Sequence, residues 1–187
     1  NTVSYSGAAA GVTVDLGITT AQNTGDGNDT LLKFSNLTGS SQDDILKGNN
    51  NSNIIKGGNG ADTIYGIGGS NFLYGESGND TFIGKVAGSD FIDGGAGTNK
   101  VDYSSLTQAN SITVNLGTTT TFNDENSVSQ TVYQISINGG GSDYIKDISI
   151  FEGSAGDDKF TVKSGNFELI GGAGNDTIEG GSDKYII

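Results

Sequence analysis

GSSQDDILK (39–47), GNNNSNIIK (48–56), GGNGADTIY (57–65), GIGGSNFLY (66–74) and GESGNDTFI (75–83) are consecutive units of nine residues, and their shared frame decides the fold. Each opens on glycine and carries an apolar residue at its eighth position: Leu46, Ile55, Ile64, Leu73 and Phe82. One apolar side chain per nine residues matches neither the 3.6-residue period of a helix nor a long strand. It matches a short strand that sends one side chain inward, after a glycine-rich turn supplying positions with positive φ. The frame continues through a ten-residue unit, GKVAGSDFID (84–93), and GGAGTNKVD (94–102). It resumes at GSAGDDKFT (153–161), VKSGNFELI (162–170), GGAGNDTIE (171–179) and a shortened GGSDKYII (180–187). These later units add Ile92, Val101, Phe160, Leu169 and Ile178 to the inward set.

A longer repeat lies over the short one. VSYS (3–6) matches VDYS (101–104), and VTVDLG (12–17) matches ITVNLG (112–117). GDGNDTLLKFSNLTGSSQDD (25–44) aligns without gaps on GGGSDYIKDISIFEGSAGDD (139–158), an offset of 114. The chain reads as a tandem duplication. A first module, 1–102, has a β lead-in (1–38) and a nonapeptide stretch (39–102). A second, 103–187, has a lead-in with an insertion (103–152) and a shorter nonapeptide stretch (153–187). Val12, Val14 and Leu16, like Ile112, Val114 and Leu116, alternate with polar residues as half-buried strands do. The insertion, about 118–138, ends in an alternating run from Val132 to Ile137 and is expected to form a hairpin or long loop on the repeat stack. No stretch has a credible helical period.

Composition narrows the function. Glycine supplies 32 of 187 residues, and 22 acids against nine lysines give a formal charge of −13. Proline, cysteine, methionine, tryptophan, histidine and arginine are absent. Without His or Cys there is no Ser-His or Cys-His nucleophile pair, no zinc or haem site of the usual kind and no disulfide. An acidic surface without arginine gives nucleic-acid binding no electrostatic basis. No apolar run approaches the length of a transmembrane segment, and no signal peptide opens the chain. Leu, Ile, Val and Phe total 44 residues, little above the level at which charged chains stay disordered. Something besides apolar burial must stabilise the fold, and the acids point to a cation.

The pattern GGxGxDxUx, with U a large apolar residue, stands almost intact at 57–65 and 171–179 and well at 75–83 and 153–161. This resembles the calcium-binding RTX (repeats-in-toxin) nonapeptide family. The chemistry agrees: calcium takes six to eight hard oxygen ligands from carboxylates and carbonyls, and two glycine turns stacked at strand spacing supply them where one cannot. The resemblance implies an all-β fold, a right-handed parallel β-roll or β-helix in two tandem modules. In such a roll each coil uses two nonapeptides, so turns on one edge recur every 18 residues. On one edge stand Asp44, Asp62 and Asp80, followed by Asn99; on the other Asn53, Asn71 and Asp90. Asp158 and Asp176 are also 18 apart, with Phe167 in the unit between them. One calcium-rich and one calcium-poor edge are therefore expected, a departure from the family pattern at Asn53 and Asn71.

The family's ligand scheme takes carbonyls from the second and fourth residues of the earlier turn and the first and third of the later. It implies a site from Gly58, Gly60 and Asp62 with Gly75, Ser77 and Asp80. A second would use Ser40, Gln42, Asp44, Gly57, Asn59 and Asp62, and a third Ser154, Gly156, Asp158, Gly171, Ala173 and Asp176. Asp29 and Asp143, in the matching turns GDGND and GGGSD, precede Asp44 and Asp158 by 15 residues; a shortened coil would bring them to the calcium edge as further ligands. The cofactor implied is Ca2+, several ions per chain.

Other readings of the same residues are weaker. The carboxylate pairs Asp43/Asp44 and Asp157/Asp158 fall inside the metal repeat, which removes the case for glycosidase chemistry. Tyr5 and Tyr103, at matched points of the duplication, read as packing residues. The ending Asp183-Lys184-Tyr185-Ile186-Ile187 resembles the tail of some type I secretion substrates, yet reads better as a further strand cut short. The implied function is a structural, non-enzymatic module of a larger secreted bacterial adhesin, surface-layer protein or exoprotein, folded by calcium outside the cell, with flanking domains as its covalent partners. The alternatives are the accessory roll of a secreted protease, lipase or epimerase, and an ice- or carbohydrate-binding module. An ice face requires a regular outward array, which the fifth residues Asp43, Ser52, Ala61, Ser70 and Asn79 do not form.

Overall fold

The computed structural model describes residues 1–181; the ending read from sequence at 183–187 lies outside them. The described chain is all strand, turn and bend. The first module contributes β1 (Thr2–Ser4), β2 (Thr13–Asp15), β3 (Gln22–Asn23), β4 (Asn28–Asp29), β5 (Asn36–Thr38), β6 (Ile45–Lys47), β7 (Ile54–Asn59), β8 (Thr63–Tyr65), β9 (Phe72–Ser77), β10 (Thr81–Ile83), β11 (Phe91–Asp93) and β12 (Lys100–Asp102). Then follow β13 (Ile112–Asn123), β14 (Ser129–Ile137), β15 (Ser142–Lys146), β16 (Ile150–Glu152), β17 (Lys159–Thr161), β18 (Glu168–Ile170) and β19 (Thr177–Glu179).

Successive nonapeptide strands alternate between two facing sheets. One sheet runs β1-β5-β7-β9-β11-β15-β14-β13-β17-β19 and the other β18-β16-β12-β10-β8-β6-β2. Each nonapeptide strand pairs in parallel with the strand two units on, as Leu46 with Ile64 and Ile55 with Leu73. This is a parallel β-roll. The second residue of each nonapeptide strand points inward, so Leu46, Ile55, Ile64, Phe82, Val101, Phe160 and Leu169 are wholly buried in one continuous core. The lead-in is part of the roll as well. β1 stacks on β5 and β2 on β6, so residues 1–38 supply the first coil and the small β3–β4 ribbon beside it.

Both sheets continue through the join between the repeated segments, β12 pairing with β16 and β11 with β15. Equivalent strands nevertheless sit on opposite sheets: β1 and β5 belong to the first sheet, while their counterparts β12 and β16 belong to the second. An odd number of half-coils separates β1 from β12, so the second copy enters turned by half a coil.

The inserted segment forms the antiparallel β13–β14 hairpin, with an irregularity between Asn115 and Thr120. Its outer arm folds over the outside of the first sheet. Phe122 stacks on Tyr144 at 4.3 Å and faces Phe91 at 5.8 Å, which buries Phe91 although its position in β11 points outward. A hairpin with one aromatic near its tip thus seals an otherwise wet surface.

Candidate metal centre

The turns at each edge are built around one repeated hydrogen bond. The Asp62 carboxylate accepts the Asp44 N–H at 2.9 Å, Asp80 accepts that of Asp62 at 2.9 Å, and the Asn99 carboxamide oxygen accepts that of Asp80 at 2.9 Å. On the opposite edge Asn71 accepts from Asn53 at 2.8 Å, Asp90 from Asn71 at 2.8 Å and Asp143 from Asp90 at 2.9 Å. Each ladder uses one side-chain oxygen per coil. All these side chains are buried.

The second oxygen separates the two ladders. Oδ2 of Asp62 and of Asp80 is buried and receives no hydrogen bond. A buried carboxylate oxygen left unpaired is costly. The space beside it is lined by main-chain oxygens: a methyl on Gly57 would lie 2.2 Å from Asp62 Oδ2 and 2.8 Å from the Gly75 carbonyl. One on Gly75 would lie 2.1 Å from Asp80 Oδ2 and 2.7 Å from the Gly94 carbonyl. The Gly60 carbonyl points along the roll toward Gly78, where a methyl would lie 1.7 Å from it. At Gly57, Gly75 and Gly78 only glycine fits, and Gly58, Gly60 and Gly78 hold φ of 119°, 113° and 140°. Among the described residues no three carboxylates converge, so the donor set is paired aspartates with backbone carbonyls. That set suits a hard cation of calcium's size, and the residues fit it.

The expected site between 57–62 and 75–80 has this character most fully, although the Ser77 carbonyl already accepts the Gly60 N–H at 3.0 Å. In the turns 39–44 and 153–158 the same cradle recurs with a difference. A methyl on Gly39 would meet Asp44 Oδ2 at 2.2 Å and the Gly57 carbonyl at 2.4 Å, and one on Gly153 would meet Asp158 Oδ2 at 2.4 Å and the Gly171 carbonyl at 2.1 Å. Here serine replaces the second glycine. Ser40 donates N–H (2.5 Å) and hydroxyl (2.8 Å) to Asp44, and Ser154 does the same to Asp158 (2.6 and 2.8 Å). The Ser40, Gln42, Ser154 and Gly156 carbonyls face Gly58, Gly60, Gly172 and Gly174 of the following turns.

Two placements correct the sequence expectation. Asp158 and Asp176 precede strands of the first sheet, on the edge carrying Asn53 and Asn71 and opposite Asp44, Asp62 and Asp80. The half-coil offset between the copies is the reason, so each edge holds one aspartate stretch. Asp143 ends the Asn53–Asn71–Asp90 ladder rather than standing among the aspartate turns. Its Oδ2 accepts the Tyr103 hydroxyl at 2.5 Å, and in the first copy Asp29 Oδ2 accepts that of Tyr5 at 2.9 Å and that of Thr24 at 2.8 Å. The two tyrosines are packing residues, buried as expected, and each also engages the carboxylate read from sequence as a further ligand.

Burial pushes the Asp62 carboxyl up to about 7, the neighbouring charges of Asp44 and Asp80 adding to it. Asp80 and Asp158 are raised for the same first reason. Burial also raises Asp143, with the Asp90 charge behind it, and drives the Tyr103 hydroxyl well above its usual value.

Sequence reading missed Lys85. The ten-residue unit 84–93 carries one extra residue, and its lysine ammonium pairs with Asp90 Oδ2, with only 14% and 4% of the two side chains exposed. On this coil an internal ammonium stands beside the stacked Asp90 and Asp143. Replacing it with an uncharged chain of similar length, Lys85→Met, is expected to cost about 3–5 kcal/mol, the usual penalty for stranding a buried charge. Urea unfolding in saturating calcium measures this, and a loss under about 1 kcal/mol would show that Lys85 carries no such role.

The RTX calcium-binding nonapeptide repeat matches in four copies, at residues 38–69, 57–85, 87–105 and 152–186, together more than half of the chain. The chain belongs to that family and is a calcium-binding β-roll module. No individual curated protein matches it.

Proposed function

We infer that this chain is a calcium-gated structural module, loosely folded where calcium is scarce and closed into its roll where calcium is abundant, outside the cell. Its role is that of scaffold or spacer in a larger secreted or surface-attached bacterial protein. The observation that carries this reading is the pair of buried, unpartnered oxygens on Asp62 and Asp80, each in a turn whose carbonyls face it. Ions that bind the closed turns and hardly bind the loose chain shift the folding equilibrium by mass action. Membership of the RTX family supports the extracellular setting, since these repeats are typical of secreted proteins.

Three turn pairs supply the oxygens: Asp44 with Asp62, Asp62 with Asp80, and Asp158 with Asp176. Asp29 and Asp143, engaged by tyrosine, add none. A calorimetric calcium titration with a direct metal count is therefore expected to find about three ions per chain, as the paired-turn ligand scheme requires. A count of zero or one would overturn the reading.

A further inference from the structure

Asparagine precedes glycine at two places in the chain, Asn59–Gly60 and Asn138–Gly139. The dipeptide is chemically labile, because glycine has no side chain to shield its main-chain nitrogen from the asparagine carboxamide. That nitrogen attacks the asparagine Cγ and forms an N–Cγ bond. The carboxamide nitrogen takes up the amide proton and leaves as ammonia, which closes a five-membered succinimide. Water then adds to either ring carbonyl and opens it to aspartate or to isoaspartate, whose main chain runs through Cγ. The reaction requires a mobile backbone and a free glycine nitrogen.

The structure treats the two bonds differently. Asn59 ends β7 and pairs in parallel with Ser77 of β9, and the Gly60 N–H donates to the Ser77 carbonyl at 3.0 Å. Gly60 is held between the neighbouring turns. A methyl on it would come within 2.5 Å of the Gln42 main chain, and one on Gly78 would lie 1.7 Å from its carbonyl. Asn59 is exposed, so water reaches the residue while the glycine nitrogen stays fixed. Asn138–Gly139 lies instead in the corner between β14 and β15. Both residues are exposed, Gly139 holds φ of 77°, and among the described residues no group accepts its N–H.

We propose that Asn59–Gly60 is a calcium-guarded modification site: the closed turn prevents its succinimide chemistry, and time spent without calcium converts it to isoaspartate. The proposal rests on the calcium-gated reading. Its consequence is local and severe. Gly58 seats against the Ser40 carbonyl, where a methyl would lie 2.2 Å away, and Gly60 against Gln42, so these contacts fix the length of main chain across residue 59. Isoaspartate adds a carbon to that length, and the turn 57–62 cannot reseat. This turn belongs to two of the three calcium-binding turn pairs, Asp44 with Asp62 and Asp62 with Asp80.

The test incubates the full chain at one mildly alkaline pH, in saturating calcium or in EGTA, while circular dichroism records the fold. Peptide mapping measures deamidation and isoaspartate at each bond. Asn59 is expected to react at least about tenfold more slowly in calcium than in EGTA, the protection a closed segment confers, whereas Asn138 reacts in both. Returned to calcium, chains with isoaspartate at 59 are expected to bind about two fewer ions. Asn59→Ser, measured against its own unincubated sample, is expected to lose none. A chain that opens in EGTA yet reacts at Asn59 no faster than in calcium would overturn the proposal alone. Full ion binding by the isoaspartate chain would do the same. A chain that stays closed in EGTA would instead overturn the calcium-gated reading and the proposal with it.

Discussion

Chelation with EGTA at about pH 8 is expected to abolish the β-type circular dichroism of this chain, and returned calcium to restore it. The roll buries one apolar side chain per nonapeptide strand, and the protein carries a formal charge of −13. Its ladders stack carboxylates one coil apart. Like charges about 5 Å apart at an effective dielectric of about 20 repel by on the order of 3 kcal/mol, a large fraction of a small domain's stability. The pH dependence of the calcium-free chain has a definite sign. Asp62 holds its proton up to about 7 in the roll against 3.8 ordinarily, so the folded state binds a proton that the unfolded chain has released. That contribution is intact below about pH 4 and lost as pH rises toward 7. Stripped of calcium at about pH 8 and moved into calcium-free buffer, the chain is therefore expected to retain more β structure near pH 5 than near pH 8, whereas calcium affinity should fall over the same descent because protons compete for Asp62. A spectrum unchanged by complete calcium removal at about pH 8 would refute the calcium-gated fold.

Asp62→Asn is expected to change sign with calcium. The substitution keeps an oxygen for the Asp44 N–H, so the ladder bond survives. It removes one buried charge and the unpartnered Oδ2. In EGTA the variant should be more stable than the parent, because a desolvated carboxylate and its repulsion from Asp44 and Asp80 are gone. In calcium it should be less stable, with affinity at the turns it joins reduced at least about tenfold, roughly 1.4 kcal/mol per ion. Asn71→Ala offers the contrast. Asn71 accepts the Asn53 N–H and donates to the Gly68 carbonyl and Asp90, so its loss should cost about 1–3 kcal/mol with and without calcium and leave affinity unchanged. Equal loss of affinity in the two variants would overturn the distinction between their turns.

The core and the main turns were legible because a nine-residue period leaves little choice. Leu46, Ile64 and Phe82 recur at intervals that only a stacked coil buries together, and Asp44, Asp62 and Asp80 recur at intervals that only a stacked edge brings into line. The pairing of Tyr5 with Asp29 and of Tyr103 with Asp143 was half visible, since both members of each pair recur in the duplication. Lys85 left a fainter mark, a single residue added to one unit. Its ion pair with Asp90 depends on how the enlarged turn folds back, and no spacing rule specifies that.

By itself, the sequence determined that this protein is a glycine-turned roll of short strands with oxygen-lined turns, because periodicity and residue type alone settle which side chains go inward and which turns require glycine. Tertiary structure decided which edge each aspartate stretch occupies, which carboxylates keep an unpartnered oxygen and which are met by tyrosine, serine or lysine. The physical reason is that alignment shows what is repeated but not its phase around the roll axis. That phase depends on counting half-coils through irregular lead-ins, and a hydrogen-bond partner one coil away depends on it in turn.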